Sequence, residues 1–126
     1  MDVSSLILIF AAMRVVIGLA PIVAARPSLR LLGFPSDHDN ATARLMGRLF
    51  GVRDIGLGVI AAAGVKGFVP MDFALLFNAA TDVGDMVVIA IPLLRRQQID
   101  RAAALSLGFA VAGCSAWLLA LSLWGG

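Results

Sequence analysis

The chain has 126 residues, ten Lys and Arg against eight acidic residues for a net charge of +2, and a hydrophobic share of 60%. That share, with a mean hydropathy of +0.96, lies well above the roughly 45–50% apolar content of an ordinary soluble domain and excludes one. The length permits a single integral membrane domain over residues 1–126, with four apolar segments of about 20 residues, each able to cross a hydrocarbon core about 30 Å thick. The expected fold is all-α, a four-transmembrane-helix bundle, because recurrent Gly and Ala without strand-like alternation favour helices over barrel strands.

The first segment, Ser5–Ala25, carries Arg14 at its centre and Pro21 near its end, where a lost amide is cheap. No cleavable signal peptide is expected, since the stretch before Arg14 lacks a basic region and Arg14 interrupts the apolar run. Residues Arg26–Thr42, "RPSLRLLGFPSDHDNAT", read as the one sizeable loop, in which "SLRLLGF" is apolar enough to lie on a bilayer surface. His38 stands between Asp37 and Asp39, but one histidine in a loop falls short of the three or four preorganised ligands of a zinc site, so no metal is expected.

The second segment, Ala43–Gly64, places Arg53 and Asp54 side by side near its middle, with Gly47-x3-Gly51 as a small-xxx-small pattern. The third, Pro70–Leu94, carries Asn78, Asp82 and Asp85 on one helical face. The fourth, Arg101–Trp124, offers Ala104, Gly108, Ala112 and Ser115 as a small-residue face and reads as packing. Its Cys114 has no second cysteine to pair with and reads as a small buried residue.

Basic residues set the expected orientation. Arg26, Arg30, Arg95 and Arg96 lie in the loops after the first and third segments, with Arg44 and Arg101 beside them, whereas Lys66 alone lies between the second and third. Positive loops stay in the cytoplasm, which puts both termini on the non-cytoplasmic side of the membrane. The pI near 9.5 therefore reflects loops against anionic lipid rather than nucleic acid, for which no aromatic-interleaved basic patch exists.

Arg14, Arg53, Asp54 and Asp82 fall at one depth, with Asp85 a turn away. Facing lipid, each would cost about 2.5–3.5 kcal/mol on insertion scales, so they must face one another or water. The candidate cluster is Arg14, Arg48, Arg53, Asp54, Asn78, Asp82 and Asp85, in which three arginines balance three aspartates. The glycine face of the second segment is expected to pack against the third, with Arg14 reaching in beside Gly18. Asp82 and Asp85, at i and i+3, form a like-charged pair of which one is expected to be protonated. On the helical wheel Arg53 points roughly 150° away from the Asp54 face, which calls for another partner: an aspartate of the third segment, a distortion at Gly56 and Gly58, or a second copy of the chain. The last of these predicts a homo-oligomer through the second segment.

"RLFGVRDIGLGV", followed by "AATDVGDMVV" and preceded by an "LLGFP" loop, resembles small four-helix bacterial membrane proteins grouped as a family of unknown function. The resemblance implies that Arg53, Asp54, Asp82 and Asp85 are signature positions, and it implies no activity. The residues themselves point to binding or translocation of a small ligand or ion at the Arg/Asp cluster, with no cofactor. The alternatives are an accessory subunit docking into a larger membrane complex and a membrane enzyme using Asp82 or Asp85 on a lipid-like substrate.

Overall fold

The structure is a computed structural model and describes residues 2–95 and 100–125. It is helical throughout, with no strand among the described residues. Helix α1 spans Val3–Val23, opened by Asp2, whose carboxylate accepts from the Ser5 amide at 2.8 Å. Hydrogen bonds from Ser5, side chain first and then backbone, hold the Asp2 carboxyl below its usual range.

The expected loop after α1 is itself partly helical: α2 spans Ala25–Leu31 and a 3₁₀ turn covers Ser36–His38. Pro27 is compatible with that helix because it falls in the first turn, where no intrahelical amide bond is lost. Gly33, at φ 87°, ends α2, and Phe34 N–H donates back to the Leu29 carbonyl, a left-handed C-terminal stop that a side chain would strain. Helix α3, Ala41–Val65, starts at Asn40, which accepts from the Ala43 amide at 2.9 Å. It ends in the same way as α2, at Gly67 with φ 82°. Helices α4, Met71–Arg95, and α5, Asp100–Gly125, complete the chain.

Three of these helices are long and apolar enough to cross a membrane, over Val3–Val23, Met71–Arg95 and Arg101–Trp124. The expected fourth, α3, is long enough but not among them, because Arg44, Arg48, Arg53 and Asp54 interrupt its apolar residues. Large apolar side chains such as Val16, Val59, Val87 and Leu118 are exposed along the helices, as expected of surfaces that meet lipid rather than water.

The helices associate as two intimate pairs, α1 with α3 and α4 with α5, joined by lesser contacts of α3 with α4 and α1 with α5. The glycine face of α3 thus meets α1, not the following helix as its pattern suggested. A Cβ on Gly18 would stand 2.5 Å from the Gly51 carbonyl oxygen, one on Gly51 would strike the Gly18 backbone, and one on Gly58 would come within 2.8 Å of the Ala11 oxygen. Backbone packs on backbone along this seam. The apolar core gathers where the start of α1, the end of α3, the start of α4 and the end of α5 meet, around Ile7, Ala61, Leu75, Cys114 and Trp117. In α4 the last buried residue is Asp82, so the polar residues stand at the edge of this core.

Candidate functional site

Arg14 continues the buried face Ile7, Ala11, Arg14, Gly18 of α1, a 3–4 spacing that would carry apolar residues in any soluble core. At 8% exposure its guanidinium needs partners, and it reaches across to α4. Nη1 donates to Asp82 Oδ2 at 3.1 Å and Nη2 to Oδ1 at 2.7 Å, the two-pronged geometry that a planar guanidinium and a carboxylate share. The same group lies 5.7 Å from the Trp117 ring centre. Asp82 is admitted by Gly113 of α5, where a Cβ would come within 2.6 Å of Oδ2. Trp117 and Gly113 both belong to the site and were hidden in the sequence, since nothing in the run "AGCSAW" separates a residue that frames a charge from one that packs.

Arg53 makes the second two-pronged pair. Nη1 and Nη2 donate to Asp85 Oδ1 and Oδ2 at 2.9 Å each, and the guanidinium lies 4.7 Å from the Phe50 ring centre. This pair is the more open one, with side-chain exposures of 38% and 23% against 9% and 5% for Arg14 and Asp82. Of the three partners the helical wheel left open for Arg53, the structure places the aspartate of the following helix within the same chain. Asp82 and Asp85 accordingly do not share one site. Each takes its own arginine, from α1 and α3 respectively.

Asp54 lies between the two pairs. Its Oδ1 is 3.5 Å from Arg14 Nε and 3.7 Å from Arg53 Nη2. With the residue only 4% exposed, neither Oδ1 nor Arg14 Nε has a hydrogen-bond partner. Asn78, fully buried, donates to the Ala74 carbonyl of its own helix at 2.9 Å and to the Leu57 carbonyl of α3 at 3.2 Å, while its Oδ1 has no partner. It ties α4 to α3 one turn before Asp82.

Arg48 stands apart. It is exposed and forms no ion pair among the described residues, because it lies six positions before Asp54, about 120° off that face. The expected balance of three arginines with three aspartates becomes two with three: Arg14 and Arg53 against Asp54, Asp82 and Asp85. Away from the cluster, Asp39 beside His38 accepts from Arg44 Nε at 2.7 Å and lies 3.8 Å from Arg26 Nε, which fixes the turn to the start of α3. No group of three or more His, Cys, Asp or Glu side chains suited to a metal converges among the described residues.

The family model described as Domain of unknown function (DUF4267) matches residues 11–124, a span that includes every member of the cluster. No curated protein and no solved structure matches the chain.

Proposed function

Because the chain belongs to that family of unknown function, we propose its role from the site: a small multi-pass membrane protein that binds a small ion or ligand at an Arg/Asp cluster near mid-membrane. The observation that carries this reading is the imbalance just described, three carboxylates around two guanidiniums, with Asp54 Oδ1 and Arg14 Nε buried and without hydrogen bonds. A network serving only to hold helices together gains nothing from a surplus buried charge, which costs several kcal/mol unless it is compensated. Compensation by a bound species is the economical account, since intramembrane ionisable groups mark ion and substrate paths.

In this reading α3 crosses the membrane as the fourth span. Its length is packed against α1, and Arg53 is paired with Asp85 inside the chain, which offsets part of the charge that interrupts its apolar residues. The arginine-rich loops then face the cytoplasm and both ends of the chain face the other side. A reporter fused after Gly126 is expected to be active only on the non-cytoplasmic side, and one inserted beside Arg96 only in the cytoplasm. The opposite pattern would reverse the orientation.

The binding role is tested on the purified chain in lipid nanodiscs. Its thermal midpoint is followed against Na⁺, K⁺, Mg²⁺, chloride and phosphate in turn, and against pH between about 5 and 8. The expected result is a dependence on one of these species that is lost in Asp54→Asn. Indifference to all of them, with a stoichiometric protein partner retained through purification, would replace the binding role by that of an accessory subunit.

A further inference from the structure

We infer that the species held by the cluster is a proton, carried on Asp54, and that its presence governs how firmly the α1–α3 pair is held to the α4–α5 pair. This rests on the reading of the cluster as an ion site and names its occupant.

The groups that face Asp54 can be followed element by element. Arg14 comes from α1, Arg53 from α3 itself, and Asp82 and Asp85 from α4. Among the described residues helix α5 brings no charged side chain to this level, but Gly113 against Asp82, the buried thiol of Cys114 and the Trp117 ring beside Arg14. Fully ionised, these five groups sum to −1, with Arg14, Asp54 and Asp82 buried and the Arg53–Asp85 pair more open. Each two-pronged pair uses both oxygens of its carboxylate, so protonating Asp82 or Asp85 would strip an arginine of its best partner. Asp54 accepts no hydrogen bond at Oδ1 and can be neutralised without breaking one there. It is the carboxyl on which a proton removes the surplus charge at least cost.

A metal cation is a poor substitute. Hard cations take several oxygen ligands, whereas Asp54 Oδ1 is approached by two guanidinium nitrogens, at 3.5 and 3.7 Å, and the oxygens of Asp82 and Asp85 already accept from arginines. A second positive charge at that spot would meet Arg14 and Arg53 before any ligand.

The coupling follows from who holds whom. Arg14 joins α1 to α4 through Asp82, and Arg53 joins α3 to α4 through Asp85. With Asp54 neutral, each arginine has one carboxylate partner. Once Asp54 releases its proton to water, its carboxylate competes for both arginines at once and draws them toward α3, at the expense of the two ties to α4. Among the described residues Asn78, through the Leu57 carbonyl, then remains as the polar link across that junction.

The test uses the full chain in nanodiscs, with the carboxyl carbon of Asp54 followed by residue-resolved ¹³C NMR across pH and the carboxylic-acid C=O band followed by infrared spectroscopy. The expected result is one protonated carboxyl per chain near neutral pH. It is assigned to Asp54 by its ¹³C shift, absent in Asp54→Asn and retained in Asp72→Asn. The NMR assignment is made on the unaltered protein, so it decides even if Asp54→Asn fails to fold. An Asp54 that is ionised throughout, but whose shift moves on adding Na⁺ or K⁺, would overturn the proton while leaving an ion site. An Asp54 that is ionised and indifferent to every cation would overturn both.

Discussion

Arg14→Leu is expected to destabilise the folded chain by about 3–5 kcal/mol, the cost of leaving buried carboxylates without their cation, read as unfolding in lipid under a graded SDS titration or by steric trapping. Asp82 would lose both of its hydrogen bonds, and Asp54 the nearer of its two guanidinium neighbours. The double variant Arg14→Leu with Asp82→Leu should recover a large part of the loss, because the uncompensated charge rather than the missing bond dominates it. Arg14→Lys should fall between, since an ammonium supplies the charge without the two-pronged fit. A single Arg14→Leu variant as stable as the parent would mean that the pair contributes nothing to the fold.

The second large effect is expected at the α1–α3 seam, where two alanine substitutions in one helix should have opposite signs. Gly51→Ala places a methyl group against the backbone of Gly18, and backbone cannot swing aside as a flexible side chain can. The helices must part, at a cost of about 1–3 kcal/mol typical of overpacking. Gly56→Ala, only five residues on and with nothing within 4 Å of its added carbon, should instead be neutral or gain up to about 1 kcal/mol from helix propensity. Thermal midpoints of the two variants in the same detergent give the comparison. Equal midpoints would remove the close backbone seam.

How far the site could be read in advance varies with the kind of fact. The depth of Arg14, Asp54 and Asp82 follows from counting residues along spans, and the need for them to meet follows from the cost of a charge in lipid, so their convergence was legible. The identity of each partner was not. A helical wheel fixes the direction in which a side chain leaves its own axis but is silent on which helix stands there, and so the glycine face of α3 was matched to α4 when it belongs to α1. Arg53 shows the same limit from the other side: its outward direction was right, and α4 with Asp85 stands in that direction. Arg48 was misplaced because it was counted with the Asp54 face although six positions separate the two, about 120° around the helix. Helix α2 escaped notice because seven residues are too few for a periodic pattern, and Pro27 reads as a breaker until its place in the first turn is known.

The separation of 68 residues between Arg14 and Asp82 has a meaning in time. If α3 is the fourth span, as proposed above, then during synthesis α1 enters the membrane with one unmatched positive charge before α4 exists to receive it. When α3 follows it adds Arg53 and Asp54, so the running sum over the cluster residues stays at +1, and the 3.5 Å approach of Arg14 to Asp54 is the only buried neutralisation then available to that arginine. Arrival of Asp82 and Asp85 turns the sum to −1. In that order Asp54 would be the first counter-ion Arg14 meets, still 3.5 Å from Arg14 Nε after α4 has supplied two closer oxygens. The odd carboxyl of the finished fold would then be the partner that its unfinished form required.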